Sequence, residues 1–84
     1  MATRIVISLL AQLRAKLNRV REREVAAALK RQPDLTPAQR VAVEHLSRTL
    51  MTGFLREPSA RLRATTANGR GSDVVDAARY LFAL

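Results

Sequence analysis

The feature that most constrains the fold of this chain is a long opening segment without helix breakers. Residues 3–31 contain neither Pro nor Gly, and apolar residues recur there at alternating steps of four and three: Val6, Leu10, Leu13, Leu17 and Val20. This spacing predicts one stripe along an α-helix. A helix of about 28 residues is roughly 42 Å long, whereas a compact domain of this size has a radius of gyration of about 12 Å. We therefore expect the helix to project beyond its own domain and its stripe to need a partner.

Proline and capping residues divide the remainder of the chain into shorter helices. Pro33 ends the first helix, and Thr36-Pro37-Ala38-Gln39 is typical of a capping box with Pro at the first helical position. Glu57-Pro58-Ser59 predicts a break with Pro58 opening a new helix. Asn68-Gly69-Arg70-Gly71 predicts a turn, with Ser72 as the next N-cap. In a single domain over residues 1–84, the expected helices are about 3–31, 37–56, 58–67 and 73–83.

Composition favours an all-α fold. The aromatic residues are one Tyr and two Phe, and the apolar residues are mainly Leu, Val and Ala, which favour helix over strand. Three Gly and three Pro are too few for a chain of short strands joined by turns. We predict a long N-terminal helix plus two to three shorter helices, forming an intertwined dimeric helical bundle.

The Cys, His and acidic residues that catalysis or metal binding commonly uses do not occur here at the spacings of a known catalytic or metal site. The chain has no Cys, which excludes disulfides, zinc ribbons and a thiol nucleophile. His45 is the single histidine and has no second ligand or orienting carboxylate at a suitable spacing. Asp73 and Asp76 are explained as acidic residues at a helix start. We expect no catalytic, cofactor-binding or metal-binding residues, and no enzyme activity from this chain alone.

The net charge of +8 raises nucleic acid as an alternative partner. The segment 35–40, Leu-Thr-Pro-Ala-Gln-Arg, resembles the opening of the helix-turn-helix domain of response regulators and sigma factors. Such a domain should turn after about ten residues, whereas this helical pattern continues past Ser47 to Gly53. A small basic helical nucleic-acid-binding module, similar to a helix-turn-helix, is therefore the alternative function.

The start of the chain also resembles a mitochondrial transit peptide, because residues 1–21 carry five basic residues and no acidic one. The helical spacing nevertheless continues through Glu22 and Glu24 to Leu29, which indicates a structural helix. The longest uncharged stretch, residues 5–13, is too short to span a bilayer. We expect a cytoplasmic protein with no membrane partner.

Four groups of residues, in order along the chain, carry a family resemblance. They are Leu13-Arg14, Lys16, Val20-Arg21 and Glu24-Val25; then Pro33 to Pro37 with Gln39-Arg40; then Leu50, Phe54-Leu55, Pro58-Ser59 and Arg61-Leu62-Arg63; and finally Ala77 to Leu84. This order resembles the C-terminal dimerisation domain of glutamyl-tRNA reductase, the enzyme that begins tetrapyrrole synthesis. The resemblance covers about Leu9 to Leu84. Gly53 stands where the family usually has a basic residue, Phe54 where it has Leu, and Arg56 where it has His.

The resemblance implies a homodimerisation module with a structural role in tetrapyrrole biosynthesis, either an excised domain or a diverged free-standing copy. It implies neither NADPH binding nor reduction, since the family's catalytic and nicotinamide-binding domains have no counterpart here. A free-standing copy would also be able to pair with a full-length reductase. The expected dimer interface contains Val6, Leu10, Leu13, Leu17, Val20, Leu46, Leu50, Phe54 and Phe82.

Overall fold

The computed structural model is an all-α fold and describes residues 2–67, 69 and 71–84. Its helices are α1 (Ala2–Arg31), α2 (Pro37–Ala67) and α3 (Gly71–Phe82), and the described residues contain no strand. The predicted fold class, all-α with a long N-terminal helix, is confirmed.

α1 and α2 form an antiparallel hairpin, and α3 lies beside the first half of α1. At one end of the hairpin Leu9 packs in the same cluster as Leu62, while towards the other end Arg21 contacts Glu44. α3 runs in the same direction as α1, and its last turn reaches only Lys16, whose Nζ donates to the Phe82 carbonyl at 2.7 Å. The molecule is elongated as a result, with extents of 52 × 20 × 15 Å and a radius of gyration of 16.1 Å.

The hydrophobic core lies where all three helices meet. Val6, Leu9, Leu62 and Val75 form its buried centre, and Leu9 is completely inaccessible to solvent. Leu10, Val74, Ala78 and Leu84 pack around it. Each helix therefore contributes at least one buried side chain, which holds α3 against the hairpin.

The expected break at Pro58 is wrong, because α2 continues through this residue to Ala67. Pro58 lacks an N–H and removes one helical hydrogen bond. Leu55 and Leu62 are buried on either side of it, and residues seven apart lie on the same helix face. Packing of both halves against the other helices therefore compensates for the missing bond. The separate helices predicted at 37–56 and 58–67 are one helix of 31 residues.

The uninterrupted α2 also corrects the expectation that α1 projects beyond its own domain. With 30 residues in α1 and 31 in α2, the two helices are nearly equal in length and lie side by side. Val25, near the far end of α1, is buried.

α3 begins at Gly71, two residues before the start predicted for the last helix at residue 73. Of the predicted turn, Gly69 has a positive φ of 71°, whereas Asn68 and Arg70 lie outside the described residues.

The predicted capping box at the start of α2 is confirmed. The Thr36 N–H donates to Gln39 Oε1 at 2.8 Å, and the Gln39 N–H donates to Thr36 Oγ1 at 3.1 Å. Two backbone donors that the helix itself leaves unpaired are satisfied reciprocally. Local sequence alone therefore fixes where the hairpin connection ends.

The end of α3 is capped by residues from two elements. Ala83 adopts a left-handed conformation with φ 53°, and the Leu84 N–H donates to the Arg79 carbonyl at 2.9 Å. Lys16 Nζ, from α1, donates to the carbonyls of Phe82 and Ala83. A cation at a helix C-terminus is favourable, so these bonds attach the end of α3 to the middle of α1.

The continuous α2 predicts opposite outcomes for two proline substitutions. Pro58→Ala restores an N–H inside a helix and should raise the free energy of unfolding by about 1–3 kcal/mol. Pro37→Ala, at the first helical position, should change it by less than about 1 kcal/mol. Urea unfolding followed by circular dichroism at one fixed protein concentration measures both. Equal effects at the two positions would mean that Pro58 opens a separate helix.

Candidate self-association surface

The half of the hairpin that α3 does not reach leaves apolar side chains in solvent. Leu46, Leu50 and Phe54 are 57%, 63% and 68% exposed, and Val20 opposite them on α1 is 37% exposed. Steps of four place the three α2 residues in one row along the helix. Together with the half-buried Leu17, these residues make up what we call the open apolar face.

A groove of about 620 Å³ runs between α1 and α2 within this face. Leu17 and Val20 line it from α1, and Leu50, Met51 and Phe54 line it from α2. Arg21, Ser47, Thr49 and Gly53 complete the lining. The groove thus presents an aliphatic and aromatic wall with few polar groups, which suits an apolar side chain from another molecule.

Arg21 at the edge of the groove ties the two helices together. It is 8% exposed, and it is the one buried polar residue in the described part of the chain. Its Nε donates to Asn18 Oδ1 at 2.9 Å, and its Nη1 donates to Glu44 Oε2 and Ser47 Oγ, both at 3.1 Å. These bonds fix the register of α1 against α2 where no third helix supports them.

Sequence reasoning missed the burial of Arg21. The available signal is its position four residues after Leu17 and eight after Leu13, which places it on the inner face of α1. The bonding partners Glu44 and Ser47 come from α2, and no local pattern connects them with Arg21.

The nine predicted interface residues fall into three groups in the structure. Val6 and Leu13 are buried inside the chain, and Leu10 packs against the same core. Phe82, 38% exposed, lies at the end of α3. The remaining five, which the structure does bring together, form the open apolar face: Leu17, Val20, Leu46, Leu50 and Phe54. Their role as interface residues stays a prediction.

A second, basic groove of about 400 Å³ lies on the other side of α2. Its polar lining is Arg14 from α1 together with Thr52, Arg56, Ser59 and Arg63 from α2. At 100° per residue, the residues of this α2 row are rotated by roughly 120–180° from Leu50. α2 therefore carries an apolar row and a basic row on different sides.

The turn that a helix-turn-helix domain requires after about ten residues is absent, because α2 is a single helix from Pro37 to Ala67. The binding of nucleic acid stays a prediction. Among the described residues, no cluster of three His, Cys, Asp or Glu is placed to hold a metal ion. None of the helices in the described part of the chain has the length and apolar character needed to cross a membrane.

Comparison with known proteins gives consistent matches. The family model described as glutamyl-tRNA(Glu) reductase, dimerisation domain, matches residues 1–84. The glutamyl-tRNA reductase of Chloroflexus aurantiacus is 37% identical over 84 residues, which are 100% of this chain and 19% of that protein. The glutamyl-tRNA reductase of Roseiflexus castenholzii is 40% identical over 70 residues, 83% of this chain and 16% of that protein. The chain spans about a fifth of the length of the curated relatives it matches. No solved structure matches significantly.

The Arg21 contacts predict a difference between two glutamate substitutions. Glu44→Ala removes the acceptor 3.1 Å from a buried guanidinium and should lower the free energy of unfolding by about 1–3 kcal/mol. Glu22 is 60% exposed and 3.6 Å from Nη2, so Glu22→Ala should cost less than about 1 kcal/mol. Urea denaturation measures both, and equal losses would contradict the assigned role of Glu44.

Proposed function

Because the chain belongs to the family of glutamyl-tRNA reductase dimerisation domains, we propose that it is a homodimerisation module whose open apolar face is covered by a second copy. The observation that carries this proposal is the exposure of Leu46, Leu50 and Phe54, 57–68%, in the half of the hairpin that lacks a third helix. Monomeric soluble proteins rarely expose large contiguous apolar patches, and such patches often mark interaction sites.

Helix packing supports the same arrangement. Two hairpins that bring their open apolar faces together form a four-helix bundle, in which rows spaced by three and four residues interdigitate. Full burial of a Val, Leu or Phe side chain contributes about 1.5–3 kcal/mol, and both copies contribute the same residues. In this intertwined dimer, the four-helix bundle would lie in the middle, and the three-helix half of each copy would lie at its ends.

The proposed role of the module is structural. In a reductase of the matched family it would hold two subunits together for tetrapyrrole biosynthesis, while other parts of that protein perform catalysis. The described side chains offer no nucleophile and base pair in contact, and we assign no reaction to this chain. A copy in the cytoplasm would also be able to pair with a full-length reductase that carries the same face.

Substitution of an exposed interface residue should separate the copies without unfolding the chain. We expect Leu50→Asp, which places a carboxylate in a desolvated seam, to raise the dimer dissociation constant at least 100-fold, equivalent to about 3 kcal/mol. Leu17→Asp should also yield a monomer or an unfolded chain. Sedimentation equilibrium measures the mass, and circular dichroism verifies that the variants are helical.

Val41→Asp is the matched control. Val41 is 68% exposed and lies nine residues from Leu50, on the opposite side of α2, so its substitution should leave the dissociation constant unchanged. A wild-type chain that stays at 9.3 kDa at high concentration would refute the homodimer.

The basic groove favours nucleic-acid binding as a second candidate function. Arg14, Arg56 and Arg63 face one groove with two hydroxyl side chains, and none of the described lining residues is acidic. Guanidinium groups recognise phosphate oxygens well, and a row along a helix suits a backbone with repeated phosphates better than a single anion. This candidate uses a different surface from the dimer.

Salt dependence tests the second candidate. Binding of a duplex RNA oligonucleotide, measured by fluorescence anisotropy, should weaken steeply with salt, and Arg14→Gln with Arg56→Gln should reduce the slope of log K against log salt by about 2. Arg23→Gln with Arg31→Gln changes the net charge equally outside the groove. An equal loss for both pairs, or no binding at low salt, would refute a specific site. Dimerisation of two chains of charge +8 should not weaken with salt.

A further inference from the structure

Nothing within the monomer explains why position 53 of α2 is a glycine. It lies inside α2, far from either end, where glycine is about 1 kcal/mol less favourable than alanine. A Cβ added there would meet nothing within 4 Å, and the backbone has no positive φ that would require glycine. Neither packing nor backbone conformation within the monomer therefore accounts for its small size.

The position of Gly53 relates it to the proposed interface. It lines the apolar groove with Leu50 and Phe54 and lies between them along the helix. Glycine permits a close approach of another backbone, and the distance between packed helices depends on the side chains at their crossing point. A helix that crosses α2 at Gly53 would approach more closely than at any larger residue of the face.

The surroundings of Gly53 are complementary to themselves. Phe54 is 68% exposed and stands beside a groove that is open on the same face. In a two-fold dimer the same patch serves both subunits, so a protruding ring next to an empty groove can be matched by a second copy of the same patch. An unrelated partner would have to supply both features separately.

We infer that Gly53 is the crossing point of the dimer: α2 of one subunit packs against α2 of the other at this glycine, about a two-fold axis. Phe54 of each subunit then enters the other subunit's groove, between Leu17 and Val20 of α1 and Leu50 of α2. This inference rests on the proposed homodimer and adds its geometry. It assigns to Gly53 a function in close helix contact and to Phe54 a function as the anchor.

Substitution of Gly53 should affect folding and association in opposite directions. Gly53→Ala fills open space in the monomer and should increase its folded-to-unfolded ratio about fivefold. The same variant should weaken the dimer several-fold, and Gly53→Leu should weaken it at least 100-fold, because a side chain at the crossing separates the helices. Thr52→Leu, on the basic side of α2, is the control and should leave the dissociation constant unchanged. Sedimentation equilibrium measures association, and urea unfolding at low concentration measures folding.

The absence of Cys from the sequence permits a second measurement of the same geometry. A disulfide requires Cα atoms about 4.4–6.8 Å apart, so Gly53→Cys should cross-link to its own equivalent under mild oxidation. Thr52→Cys and Leu81→Cys should not. Two results would overturn this inference and leave the homodimer intact, provided that the wild type is a dimer. One is a Gly53→Leu variant that dimerises as well as the wild type, and the other is cross-linking through the control Cys positions but not through position 53. A monomeric wild type would instead overturn the homodimer.

Discussion

The difference in length between α3 and the hairpin determines the rest of the structure. α3 has 12 residues, against 30 and 31 in α1 and α2, so it covers roughly 18 Å of a hairpin about 45 Å long. Where it reaches, three helices enclose Val6, Leu9 and Val75. Beyond Lys16 only α1 and α2 pack against each other. Two helices cannot surround a core on all sides, so part of their apolar surface stays exposed.

Polar contacts compensate for the missing third helix in the open half. Arg21 connects Asn18 on its own helix with Glu44 and Ser47 on α2, and these charge-assisted bonds specify the register that a hydrophobic core specifies at the other end. The groove keeps its shape because this register is fixed. A partner would then meet a surface that is already organised, which reduces the entropy lost on association.

Local signals in the sequence predict much of this fold, and contacts between helices determine the rest. The capping box at Thr36 and Gln39 needs only four consecutive residues, so it was predictable. The continuity of α2 through Pro58 was not, since it depends on burial of Leu55 and Leu62 against other helices. The stripe from Val6 to Val20 was visible as one stripe. Its division into a core part and an open part depends on where α3 ends, which no pattern within α1 records.

Isotope-filtered NMR on a mixture of labelled and unlabelled chains tests the central claim most directly, because it detects proton contacts between subunits only. The account predicts intermolecular contacts from the Phe54 ring to methyl groups of Leu17, Val20 and Leu50. Contacts confined to the exposed α3 residues Tyr80 and Leu81 would contradict it, because the second copy would then cover the end of the molecule that already has three helices.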